Sequence, residues 1–151
     1  FIYKNGDYVP DNSYFNTVPS LVASRKALIG DFNNDSLPDL FLVNSGLDAA
    51  PFNGETCTLL LSDKITHKYK LGDLSNVPTA FWHGGSSGDL NGDGNLDVII
   101  VAGMTTDILY GNGKGSFTLE PYKYVPGWGN LTTEIVDVDK DDAADDYYDD
   151  D

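Results

Sequence analysis

A nine-residue aspartate pattern occurs three times along this chain. Every copy has Asp at positions 1, 5 and 9 and Asp or Asn at position 3, and the copies begin at Asp31, Asp89 and Asp137. The pattern recurs after intervals of roughly 50 residues, the length of one supersecondary unit in many repeat proteins. Carboxylates this close together repel each other unless a cation lies between them. The sequence therefore predicts repeated units that each carry one cation-binding loop.

The segments between the aspartate patterns are typical of an all-β protein. Short apolar or alternating runs are separated by Gly, Asn, Asp and Pro, and helical periodicity is almost absent. Each repeat is predicted to contain a strand, the aspartate loop and three further strands, which is the composition of a propeller blade. The predicted strands are 27–30, 40–43, 58–62, 68–71, 98–102, 107–110, 116–120 and 134–136.

The predicted fold class is therefore an all-β β-propeller segment. It has about two complete blades of four antiparallel strands plus the start of a third, with each loop between the first two strands of its blade. So few blades would leave sheet edges exposed, so we expect other blades or other chains to complete the propeller. The predicted divisions are 1–24 (end of a preceding blade or N-terminal extension), 25–78 (first blade, insertion near 45–56), 79–124 (second blade) and 125–151 (truncated start of a third blade, acidic tail).

Calcium is the cation that these loops are predicted to bind. Calcium takes six to eight oxygen ligands at about 2.3–2.6 Å. The side chains at positions 1, 3, 5 and 9 and the backbone carbonyl at position 7 can supply such a set, so up to three Ca²⁺ ions are expected. The predicted ligands are Asp31, Asn33, Asp35, Leu37 and Asp39 in the first copy, Asp89, Asn91, Asp93, Asn95 and Asp97 in the second, and Asp137, Asp139, Asp141, Ala143 and Asp145 in the third.

An EF-hand loop begins in the same way, but it requires a bidentate Glu at position 12 and flanking helices. Position 12 is Leu42, Ile100 and Tyr148 in the three copies, and the flanks are predicted strands. The EF-hand is therefore excluded, and the Asp at position 9 must supply the closing carboxylate. Gly92 and Gly94 permit the positive φ of a tight loop in the second copy, whereas the first and third copies lack Gly at position 6.

The second copy also resembles a known family. Its residues 89–98 and the turn at 112–117 (Asn-Gly-Lys-Gly-Ser-Phe) are similar to the FG-GAP or VCBS repeats of integrin-alpha-like β-propellers, and the resemblance covers roughly residues 25–145. In that family calcium is structural and holds the loop between the first two strands of a blade. The resemblance implies that the chain is part of a larger ring, often of seven blades.

The charge of the chain restricts its partners. The formal net charge is −15, from 24 acidic and 9 basic residues. Phosphate binding needs clustered Lys and Arg, so nucleic acid and anionic membrane surfaces are disfavoured. No apolar run approaches the roughly 18 residues of a membrane-spanning helix, so no membrane insertion is expected.

The sequence offers little for catalysis. Cys57 is the single cysteine, the two histidines (His67 and His83) lie in no catalytic or zinc-binding arrangement, and Arg25-Lys26 is the only basic pair that could assist a calcium-dependent reaction. We therefore expect a non-enzymatic, extracellular or cell-surface module for adhesion, assembly or ligand presentation, with a protein or glycan ligand. The alternative is a glycan-binding (lectin-like) or polysaccharide-cleaving propeller. Trp128 and Trp82 are the candidate ligand-binding residues.

Overall fold

Residues 2–103, 105–122 and 132–136 are described by the computed structural model of the chain. They contain ten β-strands and no helix, which confirms the all-β class. None of them forms a helix that could cross a membrane. The strands are β1 Ile2–Lys4, β2 Asp7–Val9, β3 Ser24–Gly30, β4 Asp39–Asn44, β5 Thr58–Ser62, β6 Tyr69–Leu71, β7 Gly84–Gly88, β8 Asp97–Ala102, β9 Thr105–Gly111 and β10 Phe117–Tyr122.

The strands form one hairpin and two four-stranded sheets. Strands β1 and β2 pair with each other, β3 to β6 form the first sheet (blade 1), and β7 to β10 form the second (blade 2). Within each blade every strand pairs antiparallel with the next in chain order. The predicted four-stranded antiparallel units are therefore confirmed, and the first two aspartate loops each lie between the first two strands of their blade.

Strand β7 is absent from the predicted strands, because its sequence is only Gly and Ser. Tertiary packing explains why this segment is nevertheless a strand: it pairs in unbroken register with β8, from Gly84 opposite Val101 to Gly88 opposite Asp97. A Cβ at Gly85 would lie 2.7 Å from the carbonyl oxygen of Ile99, so a larger residue does not fit there. The hairpin β1–β2 was likewise not predicted, and the strand predicted at 134–136 is wrong, because this segment has only an isolated bridge residue.

The core lies between the two blades, which face each other. In strands β3 to β5 one side-chain face is buried there, and in β8 to β10 the facing side is buried against it. Phe41 of blade 1 and Phe117 of blade 2 meet edge to face, with ring centroids 5.8 Å apart. The shared core consists of Leu28, Phe32, Phe41, Val43, Cys57, Leu59, Leu61, Leu74, Val77, Trp82, Val98, Ile100, Leu109 and Phe117.

The opposite face of blade 2 is also apolar. Ile99, Val101 and Ile108 form a second cluster, and Leu90, Tyr110 and Ile135 pack against it. Ile135 belongs to the segment predicted to start a third blade, and its backbone N–H donates to Ser86 Oγ at 3.0 Å. Blade 2 thus contacts apolar residues on both faces.

The segment between β4 and β5 contains the predicted insertion and is fixed to blade 1. Arg25 of β3 pairs with Asp48 at 2.8 Å and donates to Ser45 Oγ at 3.1 Å. The Glu55 carboxylate accepts hydrogen bonds from the backbone N–H groups of Val22 and Ala23. These contacts hold the insertion beside the end of the blade that lies away from the aspartate loop.

Candidate metal centre

Two of the three predicted loops lie in the described part of the chain. Loop 1 (residues 31–39) connects β3 to β4, and loop 2 (residues 89–97) connects β7 to β8. In both loops the Asp at position 9 is the first residue of the second strand. The third predicted loop, with Asp137, Asp139, Asp141, Ala143 and Asp145, lies outside the described residues.

Loop 1 is closed by hydrogen bonds from its backbone to its own side chains. Asp31 Oδ1 accepts from the N–H of Asp35 at 2.9 Å, and Asp31 Oδ2 accepts from Ser36 at 2.6 Å. Asn33 Oδ1 also accepts from Asp35, at 3.1 Å, and Asp35 Oδ1 accepts from Leu37 at 2.9 Å. The oxygens at positions 1, 3 and 5 therefore point toward the inside of the loop.

Loop 2 has the same four hydrogen bonds at the same positions. Asp89 accepts from Asp93 at 3.1 Å and from Gly94 at 2.7 Å. Asn91 accepts from Asp93 at 3.0 Å, and Asp93 accepts from Asn95 at 2.8 Å. Two segments with different sequences thus adopt one conformation, dictated by the residues that they share.

Both loops require a left-handed backbone at positions 4 and 6. Gly92 and Gly94 have φ values of 71° and 82° in loop 2, and Asn34 and Ser36 have 55° and 66° in loop 1. Glycine adopts this region freely, whereas other residues enter it at a cost that Asn bears best. The missing Gly at position 6 therefore does not change the conformation of loop 1.

The Asp at position 9 ties each loop to the third strand of its blade. Asp39 Oδ2 accepts from the N–H of Phe32 at 3.0 Å, and Asp39 Oδ1 accepts from the N–H of Ser62 at 2.8 Å. Asp97 does the same in blade 2, with Leu90 at 2.9 Å and Gly111 at 2.8 Å. The donors on the third strands, Ser62 and Gly111, were not predicted, because their positions follow from the pairing of the second and third strands.

Both position-9 carboxyl groups are fully buried. Burial raises the pKa of Asp39 above the ordinary carboxyl value, although the hydrogen bonds from Ser62 and Phe32 oppose this shift. Burial also raises the pKa of Asp97, and the nearby charges of Asp93 and Asp89 add to the effect. A buried negative charge that lies close to further carboxylates is the electrostatic setting in which a cation stabilises a loop.

Among the residues that the structure describes, no three His, Cys, Asp or Glu side chains converge tightly enough to hold a metal ion by themselves. The carboxylate oxygens of the loops instead accept amide hydrogen bonds. A full ligand shell thus also requires the amide oxygen at position 3 and the carbonyl at position 7. The donor set in each loop is entirely oxygen, which fits a hard cation such as calcium and not a soft transition metal.

The two loops touch each other. Asn34 Nδ2 of loop 1 donates to Asn95 Oδ1 of loop 2 at 2.8 Å. The turn between β9 and β10 closes over this pair, because a Cβ at Gly113 would clash with both amides. From the same turn, the N–H of Gly115 donates to the carbonyl of Phe32 at 2.9 Å. The glycine turn was predicted from the sequence, but its contact with the loop of the neighbouring blade was not.

One of the two candidate ligand-binding tryptophans lies in the described part of the chain. Trp82 is fully buried in the shared core, and its Nε1 donates to the carbonyl of Pro78 at 3.3 Å. It cannot stack on a ligand, so this candidate is wrong; the large apolar ring is used to fill the space between the blades. Trp128 lies outside the described residues.

Packing or pairing occupies four of the groups considered for catalysis, namely Cys57, Arg25, Lys26 and His83, whereas His67 is exposed. Burial raises the pKa of the Cys57 thiol to about 12, so the thiol stays protonated near neutral pH. Arg25 is paired with Asp48, and Lys26 with Glu134, each at 2.8 Å. The His83 ring packs edge to face on Phe81.

A comparison with known protein families gives a match in the segment that contains loop 2. Residues 89–147 match the family model of the FG-GAP-like repeat. This segment is similar to an FG-GAP-like repeat. The matched residues begin at the first residue of loop 2, include β8 to β10, and extend over the third aspartate pattern. Blade 1 has the same strand order and the same loop hydrogen bonds. No curated protein and no solved structure gave a match to the chain.

Proposed function

We propose that the chain is a calcium-stabilised β-propeller module of an extracellular or cell-surface protein, with a non-enzymatic role in adhesion, assembly or ligand presentation. The observation that carries this proposal is that loops 1 and 2 have the same conformation. Different residues at positions 2, 4, 6, 7 and 8 give the same hydrogen bonds and the same left-handed positions. What the loops share is the oxygen set at positions 1, 3, 5 and 9, which is what a hard cation needs.

In each loop the side chains at positions 1, 3, 5 and 9 would hold calcium, with the carbonyl of Leu37 or Asn95 at position 7. The ion would supply the positive charge that balances the buried position-9 carboxylate and its acidic neighbours. Asp39 and Asp97 also bond to the third strand, so an ordered loop fixes three strands of its blade at once. We expect the affinity to suit extracellular calcium, about 10⁻⁴–10⁻³ M.

The partners proposed for this module are other blades or chains that complete a propeller, and a protein or glycan ligand. Blade 1 supports this proposal, because its face away from the shared core carries Ile29 and Leu71, both exposed. Side-chain alternation places Leu40, Leu42 and Leu60 on that same face. An apolar sheet face of this kind needs a cover of similar chemistry.

The test is thermal unfolding of the chain with millimolar calcium and with a chelator. Calcium should raise the Tm by about 5–10 °C if two or more sites are filled well above their Kd. Asp35→Asn with Asp93→Asn should remove most of this rise, because both loops lose a charged ligand but keep an acceptor for the backbone.

Asp73→Asn is the matched control. Asp73 accepts from the N–H of Ser75 at 2.9 Å, the same local turn that Asp35 makes with Leu37, but it lies outside the loops. It should leave the calcium effect intact. An unchanged Tm on calcium removal in the parent chain would show that the structural-calcium proposal is wrong.

Glycan binding is the second candidate, and the β1–β2 hairpin is the observation that favours it. Tyr3 and Tyr8 are 68% and 74% exposed, and their ring centroids are 5.3 Å apart. Exposed aromatic faces of this kind stack on sugar rings. A glycan array should show binding that is lost in Tyr3→Ala with Tyr8→Ala and kept in Tyr14→Ala; equal binding by both variants would exclude the hairpin as the site.

A further inference from the structure

We infer that the hydrogen bond between the Asn34 and Asn95 amides couples calcium binding in loop 1 to calcium binding in loop 2. The inference rests on the proposed function, since it concerns the same two loops, and adds a regulatory property to it. The 2.8 Å contact joins two chain positions 61 residues apart.

Each amide belongs to a part of its loop that would move with the ion. Asn34 is position 4 of loop 1, between the predicted ligands Asn33 and Asp35. Asn95 is position 7 of loop 2, where the backbone carbonyl is the predicted ligand, and its N–H donates to Asp93 Oδ1 at 2.8 Å. An ion that orders either loop therefore also orders one side of the amide pair.

The turn at 112–116 strengthens this connection. Asn112 Oδ1 accepts from the N–H groups of Lys114 and Ser116, which fixes the turn internally. Gly113 lies against both amides, and Gly115 donates to the carbonyl of Phe32 in loop 1. The amide pair is thus held between two loops and a turn, and ordering one component lowers the entropic cost of ordering the others.

The device is specific to this pair of loops. Position 4 of loop 2 is Gly92, which has no side-chain amide that could donate to a following loop. Position 7 of loop 1 is Leu37, which has no side-chain amide either. A hydrogen bond between neutral groups contributes modestly, so we expect about fivefold coupling between the two affinities.

The experiment reads each loop separately by NMR during a calcium titration of the full chain. The backbone amides of Ser36 and Gly94 report loops 1 and 2, because each donates to the position-1 Asp of its own loop. Loop 1 is disabled by Asp35→Ala. In the parent chain this change should raise the calcium midpoint read at Gly94 about fivefold.

When the amide pair is broken, Asp35→Ala should no longer change the calcium midpoint read at Gly94. Asn34→Gly removes one amide and retains the left-handed backbone, as Gly92 shows at the equivalent position. Asn95→Ala removes the other side-chain amide and keeps the backbone carbonyl of position 7. The double variant should lose no more coupling than either single variant. Asn53→Ala, an amide deletion in the insertion, should preserve the fivefold effect.

Two outcomes would overturn the coupling. In the first, Asp35→Ala does not change the calcium midpoint read at Gly94 in the parent chain. In the second, Asp35→Ala raises this midpoint in the Asn34→Gly and Asn95→Ala backgrounds as much as in the parent. Failure of the proposed function looks different, because then neither the Ser36 nor the Gly94 amide responds to calcium at all. Having two variants, at opposite ends of the hydrogen bond, keeps the test decisive if one of them does not fold.

Discussion

At the scale of single residues, Asp107 shows how the two blades differ. It lies on β9 opposite Ile100, and it is buried with no hydrogen bond from the described part of the chain. The equivalent residue of blade 1 is Thr58, whose Oγ accepts from Asn44 Nδ2 at 2.9 Å. Blade 2 has Ala102 where blade 1 has Asn44, so its buried carboxyl group lacks that donor. Burial accordingly raises the pKa of Asp107.

Asp107→Asn should therefore raise the free energy of unfolding at neutral pH. Because the folded-state pKa exceeds the ordinary value, the folded chain binds more protons than the unfolded chain between these two pKa values. The free energy of unfolding of the parent consequently falls as the pH rises through this window. The variant has no carboxyl group at this position, so it lacks this decrease.

Urea unfolding at pH 5 and pH 7 measures this effect as the difference between parent and variant. The difference should be largest at pH 7. Asp7→Asn, at an exposed position of β2, is the control and should change neither value. A variant that is less stable than the parent at pH 7 would show that the Asp107 charge contributes favourably, contrary to this argument.

At the scale of the element, strand β3 shows how the alternation of side chains between the two sheet faces determines which of them stabilise the fold. Leu28 and Ile29 are neighbours in sequence, yet Leu28 is 6% exposed in the shared core and Ile29 is 70% exposed on the other face. Leu28→Ala should destabilise the chain by about 3 kcal/mol, because it leaves a cavity between the blades. Ile29→Ala should change the unfolding free energy by less than about 0.5 kcal/mol.

Denaturant unfolding of the two variants at low protein concentration tests this difference. Similar losses for both would mean that the outer face of blade 1 is as well packed as the inner one. The comparison is matched, since both changes reduce a large aliphatic residue to alanine within one strand.

Elements could be predicted where their own residues determine them. The short continuous apolar runs of β4, β5, β8 and β9 identify strands, and the spacing of the aspartates identifies the loops. Strand β7 was missed because its Gly and Ser residues carry no strand preference, and only pairing with β8 makes it a strand. Contacts between distant segments, such as Asn34 with Asn95, were also out of reach, because no local pattern encodes them. The burial of Trp82 belongs to the same class: it depends on how the two sheets face each other.

At the scale of the whole molecule, the two blades repeat one packing arrangement. The inner interface joins the face of blade 1 that contains Phe41 and Val43 to the face of blade 2 that contains Val98 and Ile100. Counted from the position-9 Asp of each loop, Ile99 and Val101 are the counterparts of Phe41 and Val43, and Leu40 and Leu42 are those of Val98 and Ile100. The outer face of blade 2 is already buried against Leu90, Tyr110 and Ile135. Among the described residues, the outer face of blade 1 is the one that stays open, with Ile29 and Leu71 exposed.

This open face predicts that two copies of the chain associate through the outer face of blade 1 of each copy. The net charge of −15 opposes association through mutual repulsion, so sedimentation velocity should show larger species as salt screens this charge. Ile29→Lys with Leu71→Lys should keep the chain monomeric at high salt, because both side chains lie exposed on the outer face of blade 1. Ile65→Lys, a charge added at an exposed residue outside the strands, should leave association unchanged. If the parent chain stays monomeric at high salt, or if the Ile65 variant dissociates as fully as the double variant, the outer faces do not bind each other and the cover of blade 1 must have a different chemistry.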